Sequence, residues 1–256
     1  MASPGEPAPT RDPAPLSPSA ARRYDPVAPR EERILRLART ELRPELAQVE
    51  EVLAVYLDLL GAVEEEYRMS WPAEESRLGF LACLLRLFDD LLATDYLTQR
   101  GLYLQANRLW QDFLETLWLG LYFVREPAAA GRWLRGGRQS PKGARRALEA
   151  QGQLLPESAD LYDLLERRAN PQTKAGFERS LTISQQMGEW HVSFFVGGEG
   201  NVAWLRRGLL DWLFVATYGL EEIGRLGIAA PESQWAHRRA AAVGAAQRLL
   251  SSTPRE

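Results

Sequence analysis

Three residue types are nearly missing from this sequence, and each absence removes a chemistry. Cys83 is the only cysteine, so there is no intrachain disulfide framework and no cysteine-based metal knuckle. It sits in the apolar run FLACLLRLF, where a buried, inert thiol is expected. The two histidines, His191 and His237, stand far apart without a metal-ligand spacing, which argues against a histidine-built zinc or di-metal centre. Lys142 and Lys174 are the only lysines among 31 basic residues. With so much Ala, Leu and Gly, that arginine excess reflects GC-rich coding as much as arginine chemistry.

Long uninterrupted apolar runs are missing too. The two most apolar stretches, 109–124 and 202–220, are broken by Asp112 and Glu115 and by Arg206, Arg207 and Asp211, so neither reads as a membrane span. The N-terminus has no apolar core of the signal-peptide kind. A net charge of −3 gives no overall field favouring nucleic acid or an anionic membrane. The expectation is a soluble, cytoplasmic protein without cofactors.

What is present is helical periodicity. Residues 1–30 hold eight of the sixteen prolines and little that can pack, so they read as a disordered tail or tether. Residues 31–252 read as one helical-bundle domain. Ile34, Leu35, Ala38 and Leu42 recur at helix spacing, and Pro44 restarts the helix through Leu46, Val49, Val52, Leu53, Tyr56 and Leu60. In SWPAEES, Ser70 suits a cap, Pro72 a first turn, and Glu74 and Glu75 the positive end of the dipole; the helix that follows is expected to reach Leu92. Further helices are expected over about 99–124, 128–135, 141–151, 157–168, 202–226 and from Pro231 to near Leu250. Between Phe177 and Gly198 the segments FERSLTIS and EWHVSFFVGG are β-rich and glycine-bounded, which predicts a small peripheral hairpin at about 179–197. The fold class is therefore mainly all-α, a multi-helix bundle with one small β-hairpin.

Three constellations carry candidate chemistry. Asp89, Asp90 and Asp95 in FDDLLATD resemble the aspartate-rich helix ends that bind Mg²⁺–diphosphate in helical prenyl-transferring enzymes, since hard cations need several oxygen ligands. The matching second motif is missing, and an exposed acidic turn near a helix C-terminus accounts for the same residues. Gln105, Arg108, Asp112 and Glu115 share one face of a strongly apolar helix. They read either as an internal ion pair fixing helix register or as a polar groove binding an anion through Arg108. Arg132, Arg135, Arg138, Lys142, Arg145 and Arg146 form a basic run with no acid between, either a solvated surface or a phosphate-contacting patch for nucleic acid. Gly197, Gly198 and Gly200 do not complete a dinucleotide fingerprint and read as a turn.

The order RGLYLQANRLWQDFLETLWLGLYFVREPAAAGRWL, then LYDLLERRANP, then a glycine-bounded hairpin and a long helix, resembles uncharacterised bacterial all-helical proteins of the HEPN (higher eukaryotes and prokaryotes nucleotide-binding) class. The likeness covers about residues 45–226. It rests on Arg108 with Glu115 seven residues later, on Pro127 to Trp133, and on Tyr162, Leu165 and Asn170-Pro171. It implies a helical bundle, often dimeric, in a bacterial defence or mobile-element setting. In catalytic members it implies metal-independent RNA cleavage by an arginine and a histidine with four to six residues between them, imidazole moving the 2′-hydroxyl proton while arginine stabilises the phosphorane. Here the histidine is missing: after Arg167 or Arg168 those positions hold Gln172, Thr173, Lys174 and Ala175, and Asn170 is no proton-transfer base.

The leading expectation is thus a non-catalytic interaction or regulatory module with a protein partner or a second copy, and no membrane. An HEPN-like ribonuclease with a rearranged site is the enzymatic alternative, its candidate catalytic residues Arg108, Glu115, Arg167 and Arg168 and its candidate ligand-binding residues Asp112, Tyr162 and Asn170. The Mg²⁺–diphosphate enzyme on Asp89, Asp90 and Asp95 is the third reading.

Overall fold

The computed structural model describes residues 27–69, 74–169, 181–186, 189–194, 201–227 and 233–252. The fold is all-α, with nine helices among the described residues. They are α1 (Val27–Glu41), α2 (Arg43–Met69), α3 (Glu75–Gln99), α4 (Tyr103–Arg125), α5 (Pro127–Leu134), α6 (Pro141–Ala150), α7 (Ser158–Ala169), α8 (Val202–Arg225) and α9 (Gln234–Ser252). Between α7 and α8 the backbones of β1 (Leu181–Gln186) and β2 (Glu189–Phe194) pair antiparallel, with Leu181 opposite Phe194. The remainder of the segment 179–197, and residues 1–26 of the expected tail, lie outside the described residues. No helix among the described residues is long and apolar enough to cross a membrane.

Local chemistry sets several helix ends. Pro44 falls in the first turn of α2, where its missing N–H costs nothing, and only Leu42 separates α2 from α1. Pro127 and Pro141 likewise occupy first turns, and the Ser140 hydroxyl accepts from Gly143 N at 3.2 Å. Asn201 caps α8 by accepting from Ala203 N at 2.8 Å. The turn between α3 and α4 passes through Gly101 at φ 74°, a left-handed conformation in which a Cβ is strained.

Two boundaries differ from expectation. α1 starts at Val27, so residues 27–30 are helical rather than part of the tail. α3 continues past Leu92 to Gln99, because Thr94 and Thr98 are buried alongside Leu91 and extend the packed face. Asp89 and Asp90 therefore belong to a helix interior and not to a C-terminal turn.

Helices α4 and α8 run through the middle of the structure. α4 packs against α3, α5, α6, α7 and α8, and α8 packs against α1, α2, α3, α4 and α9. Their shared core is aromatic: Trp110 meets Phe113 and Trp212 edge-on, at centroid distances of 5.5 and 6.0 Å, and Tyr56 meets Phe113 at 6.5 Å. Such pairs add about 0.5–1.5 kcal/mol each beyond the area they bury. Three polar atoms carried into this core are satisfied by helix backbone. Tyr56 donates to Ala216 O at 2.9 Å, Trp212 Nε1 to Leu91 O at 3.3 Å, and Trp235 Nε1 to Val55 O at 3.1 Å.

Candidate functional site

The junction of α4, α6 and α7 gathers four chemically distinct side chains. Trp118 and Tyr162 pack with ring centroids 5.3 Å apart, and the Arg145 guanidinium lies 5.3 Å from each ring. The Tyr162 hydroxyl donates to Glu115 Oε1 at 2.7 Å. Lys142 adds an ammonium 6.0 Å from the Tyr162 ring, and Glu149 lies 3.4 Å from Arg145 Nε. The Ser140-Pro141 start of α6 sets this geometry, since Lys142 and Arg145 follow it within one turn and a half. Burial first, then the Glu115 carboxylate, push the Tyr162 phenol above its ordinary value. It stays protonated and serves as a donor.

A second polar group continues inward along α8. Glu222 is buried, and its Oε1 accepts from Leu155 N at 2.7 Å and from the Tyr218 hydroxyl at 2.7 Å. Ser158 Oγ lies 2.5 Å from both the Tyr218 hydroxyl and Leu155 O, and 3.3 Å from Glu222 Oε1. Arg225 Nη1 approaches Glu222 Oε2 only to 3.7 Å. The Trp118 indole N–H lies near the Tyr218 hydroxyl but outside hydrogen-bond geometry. The Ser158 hydroxyl is sealed from solvent. This group ties the 151–158 loop to α8, and nothing in it presents a nucleophile to a substrate.

The sequence-derived candidates separate into distinct places. Glu115 and Tyr162 are brought together across 47 positions of chain. Arg108 stands two turns before Glu115 on the exposed side of α4, and Gln105 and Asp112 are exposed with it; this stripe faces water and forms no internal ion pair among the described residues. Arg167 is exposed, while Arg168 turns back to Asp211 of α8 at 3.0 Å. Asn170 lies outside the described residues. Asp90 is buried with Oδ1 3.2 Å from Arg86 Nε, Asp89 is exposed, and Asp95 accepts from Gln99 Nε2 at 2.8 Å. Among the described residues no three acidic, histidine or cysteine side chains converge as metal ligands. Of the basic run, Arg132, Arg138, Lys142 and Arg146 face solvent, Arg135 pairs with Glu75, and Arg145 is consumed by the aromatic pair.

A further feature carries no polar signature in the sequence. Large apolar side chains lie open on α2 and α3: Leu57 is 52% exposed, Leu85 53%, Leu92 44% and Tyr96 54%. On α3 the spacings of seven and four place Leu85, Leu92 and Tyr96 within about 40° of one another around the helix. The two helices run antiparallel, with Arg77 Nη1 2.7 Å from Glu66 Oε1 at one end and Glu50 acting on Asp95 at the other. That register sets Leu57 level with the turn from Leu85 to Phe88. Leu53, Leu60, Leu81 and Phe88 of the same two helices are half-buried and pack against the core. With the exposed side chains they give α2 and α3 more open apolar area than the scattered surface leucines of an ordinary helix.

No protein-family model matches the chain, and no curated protein or solved structure is significantly similar to it.

Proposed function

We propose that this chain is a non-catalytic interaction module of helical-bundle architecture, which recognises a protein partner through α2 and α3. The observation that carries the reading is the open apolar face of Leu57, Leu85, Leu92 and Tyr96. Exposed apolar area of this extent marks a protein contact more often than any catalytic role. Several of the polar residues that suggested chemistry are instead committed to structural contacts: Tyr162 to Glu115, Arg145 to two rings, Arg168 to Asp211. A bacterial cytoplasmic setting tied to defence or mobile elements, which the HEPN resemblance implies, belongs to the same reading.

The test is a photo-reactive amino acid placed at position 92 in cells of the native host, with the same group at exposed position 146 as reference. A discrete protein adduct at 92 and none at 146 is expected. No adduct at 92 overturns the reading. The pairing of α4 with α7 through Glu115 and Tyr162 favours a second reading, the HEPN-like ribonuclease, with Arg108 two turns away on the same helix. Incubation with labelled RNA in EDTA separates the two. Cleavage that disappears in Arg108→Ala would replace the interaction module with the nuclease.

A further inference from the structure

We infer that the α2–α3 face takes an amphipathic helix with a leucine-rich stripe and basic flanks, a refinement that rests on the interaction reading above. Two observations beyond exposure identify the occupant. The first is the sign of the free charge around the face. Glu50 stands seven residues before Leu57 and Asp89 four residues after Leu85, so each shares the exposed side of its helix. Both are solvent-exposed, and neither is engaged in an ion pair among the described residues. Two of the neighbouring cations are already paired: Arg86 holds Asp90 and Arg77 holds Glu66. Arg100 keeps its charge at the Tyr96 end of the stripe, 3.4 Å over the ring while donating to Tyr96 O. Arg43 reaches the same side of α2 only at the helix start, about 10 Å beyond Glu50. With two free acids against one unpaired arginine, the rim carries an excess of negative charge, which attracts a basic partner and sets a second copy's acids against these.

The second observation is Gly61. It lies in the interior of α2, one turn after Leu57 on the same side, is exposed, and would meet nothing within 4 Å if it carried a Cβ. A mid-helix glycine costs about 1 kcal/mol relative to alanine, and no contact among the described residues explains it. A small residue beside an apolar stripe is what lets a partner helix approach the backbone closely.

The test uses the full chain and two fluorescein-labelled helical peptides with one leucine pattern, one flanked by lysine and the other by glutamate. Fluorescence anisotropy at moderate salt is expected to show the lysine peptide binding at least about tenfold tighter, the scale of 1.4 kcal/mol. Leu92→Ser with Tyr96→Ser should abolish that binding, and Glu50→Lys with Asp89→Lys should invert the preference. All four positions are exposed, and circular dichroism verifies that each variant keeps its helices. Equal binding of the two peptides, or a preference unmoved by the charge reversal, overturns the basic partner while the interaction reading stands. A concentration-dependent dimer broken by Leu92→Ser does the same in favour of a second copy. If neither peptide binds and position 92 yields no adduct, both fall.

Discussion

The Tyr162 hydroxyl reaches Glu115 Oε1 at 2.7 Å, joining α7 to α4 beneath the Arg145 guanidinium. A phenol donating to a half-buried carboxylate is a charge-assisted bond, worth more than a neutral one. Tyr162→Phe keeps the ring against Trp118 and removes only the donor. The expected loss is about 1–2 kcal/mol in urea denaturation. Glu115→Gln should recover part of that loss when combined with Tyr162→Phe, because the orphaned charge is gone. Strict additivity of the two substitutions would show that the contact carries no coupling energy.

Asp90 makes a pH prediction of unusual sign. Its carboxyl is buried, and burial, aided by Asp112 and Asp89 and opposed by Arg86, pushes it from 3.8 to about 6. Because the folded value is the higher one, the native state binds this proton more tightly than the unfolded chain does. The carboxylate thus destabilises the fold above pH 6, and its contribution to stability falls as pH rises from about 4 to about 6. Asp90→Asn is expected to stabilise the protein at pH 7 by on the order of 1–2 kcal/mol, after the lost Arg86 contact is counted. At pH 4 the gain should vanish. Denaturant midpoints measured at both pH values check this; a destabilised variant at pH 7 would mean that the Arg86 pair outweighs burial.

Much of this fold is readable from short-range signals, while the open apolar face of α2 and α3 is not. Ser140-Pro141 marks a helix start and Glu126-Pro127 a helix end through chemistry confined to a few residues, and the structure starts α6 at Pro141 and ends α4 at Arg125. The apolar run from Trp110 to Leu121 announces a central helix, and α4 is one. Glu222 illustrates the opposite case: its partner Leu155 N lies 67 positions away, and nothing local distinguishes it from exposed neighbouring acids. Asp90 reads as a solvated acid in FDDLLATD because burial depends on how far α3 continues and on where α4 lies. The leucines at 57, 85 and 92 look like core residues in sequence. Their exposure follows from which helix faces receive neighbours, a tertiary fact.

Two glycines should respond oppositely to alanine. At Gly219 a Cβ would fall 2.5 Å from Tyr56 Oη and 2.9 Å from Phe113 Cζ, and both rings are fully buried. Overpacking of this kind costs about 1–3 kcal/mol and exceeds the propensity gain of about 1 kcal/mol. At Gly61 the Cβ meets nothing, so Gly61→Ala should raise stability by about 0.5–1 kcal/mol. Thermal melts of the two variants decide it. Gly61→Ala should also weaken the lysine-flanked peptide, separating a glycine kept for docking from one without cost.

Glu222 offers the sharpest test of how the 151–158 loop is held. Its Oε1 receives the Leu155 N–H and the Tyr218 hydroxyl, and Ser158 closes the group from the other side. Glu222→Ala would leave the Leu155 N–H without its acceptor, at a cost of about 1–3 kcal/mol, while the Tyr218 hydroxyl turns to Ser158 Oγ. Water entering the space left by the side chain would offset part of this, so an overall loss of about 1–2 kcal/mol is expected. The local signature is more telling than the total. The Leu155 amide should exchange with solvent deuterium far faster in the variant, while amides in the Trp110–Trp212 core slow or quicken only with global stability. Ser158→Ala should speed Leu155 exchange much less, since the carboxylate remains. Equal acceleration in both variants would move the latch from Glu222 to the serine.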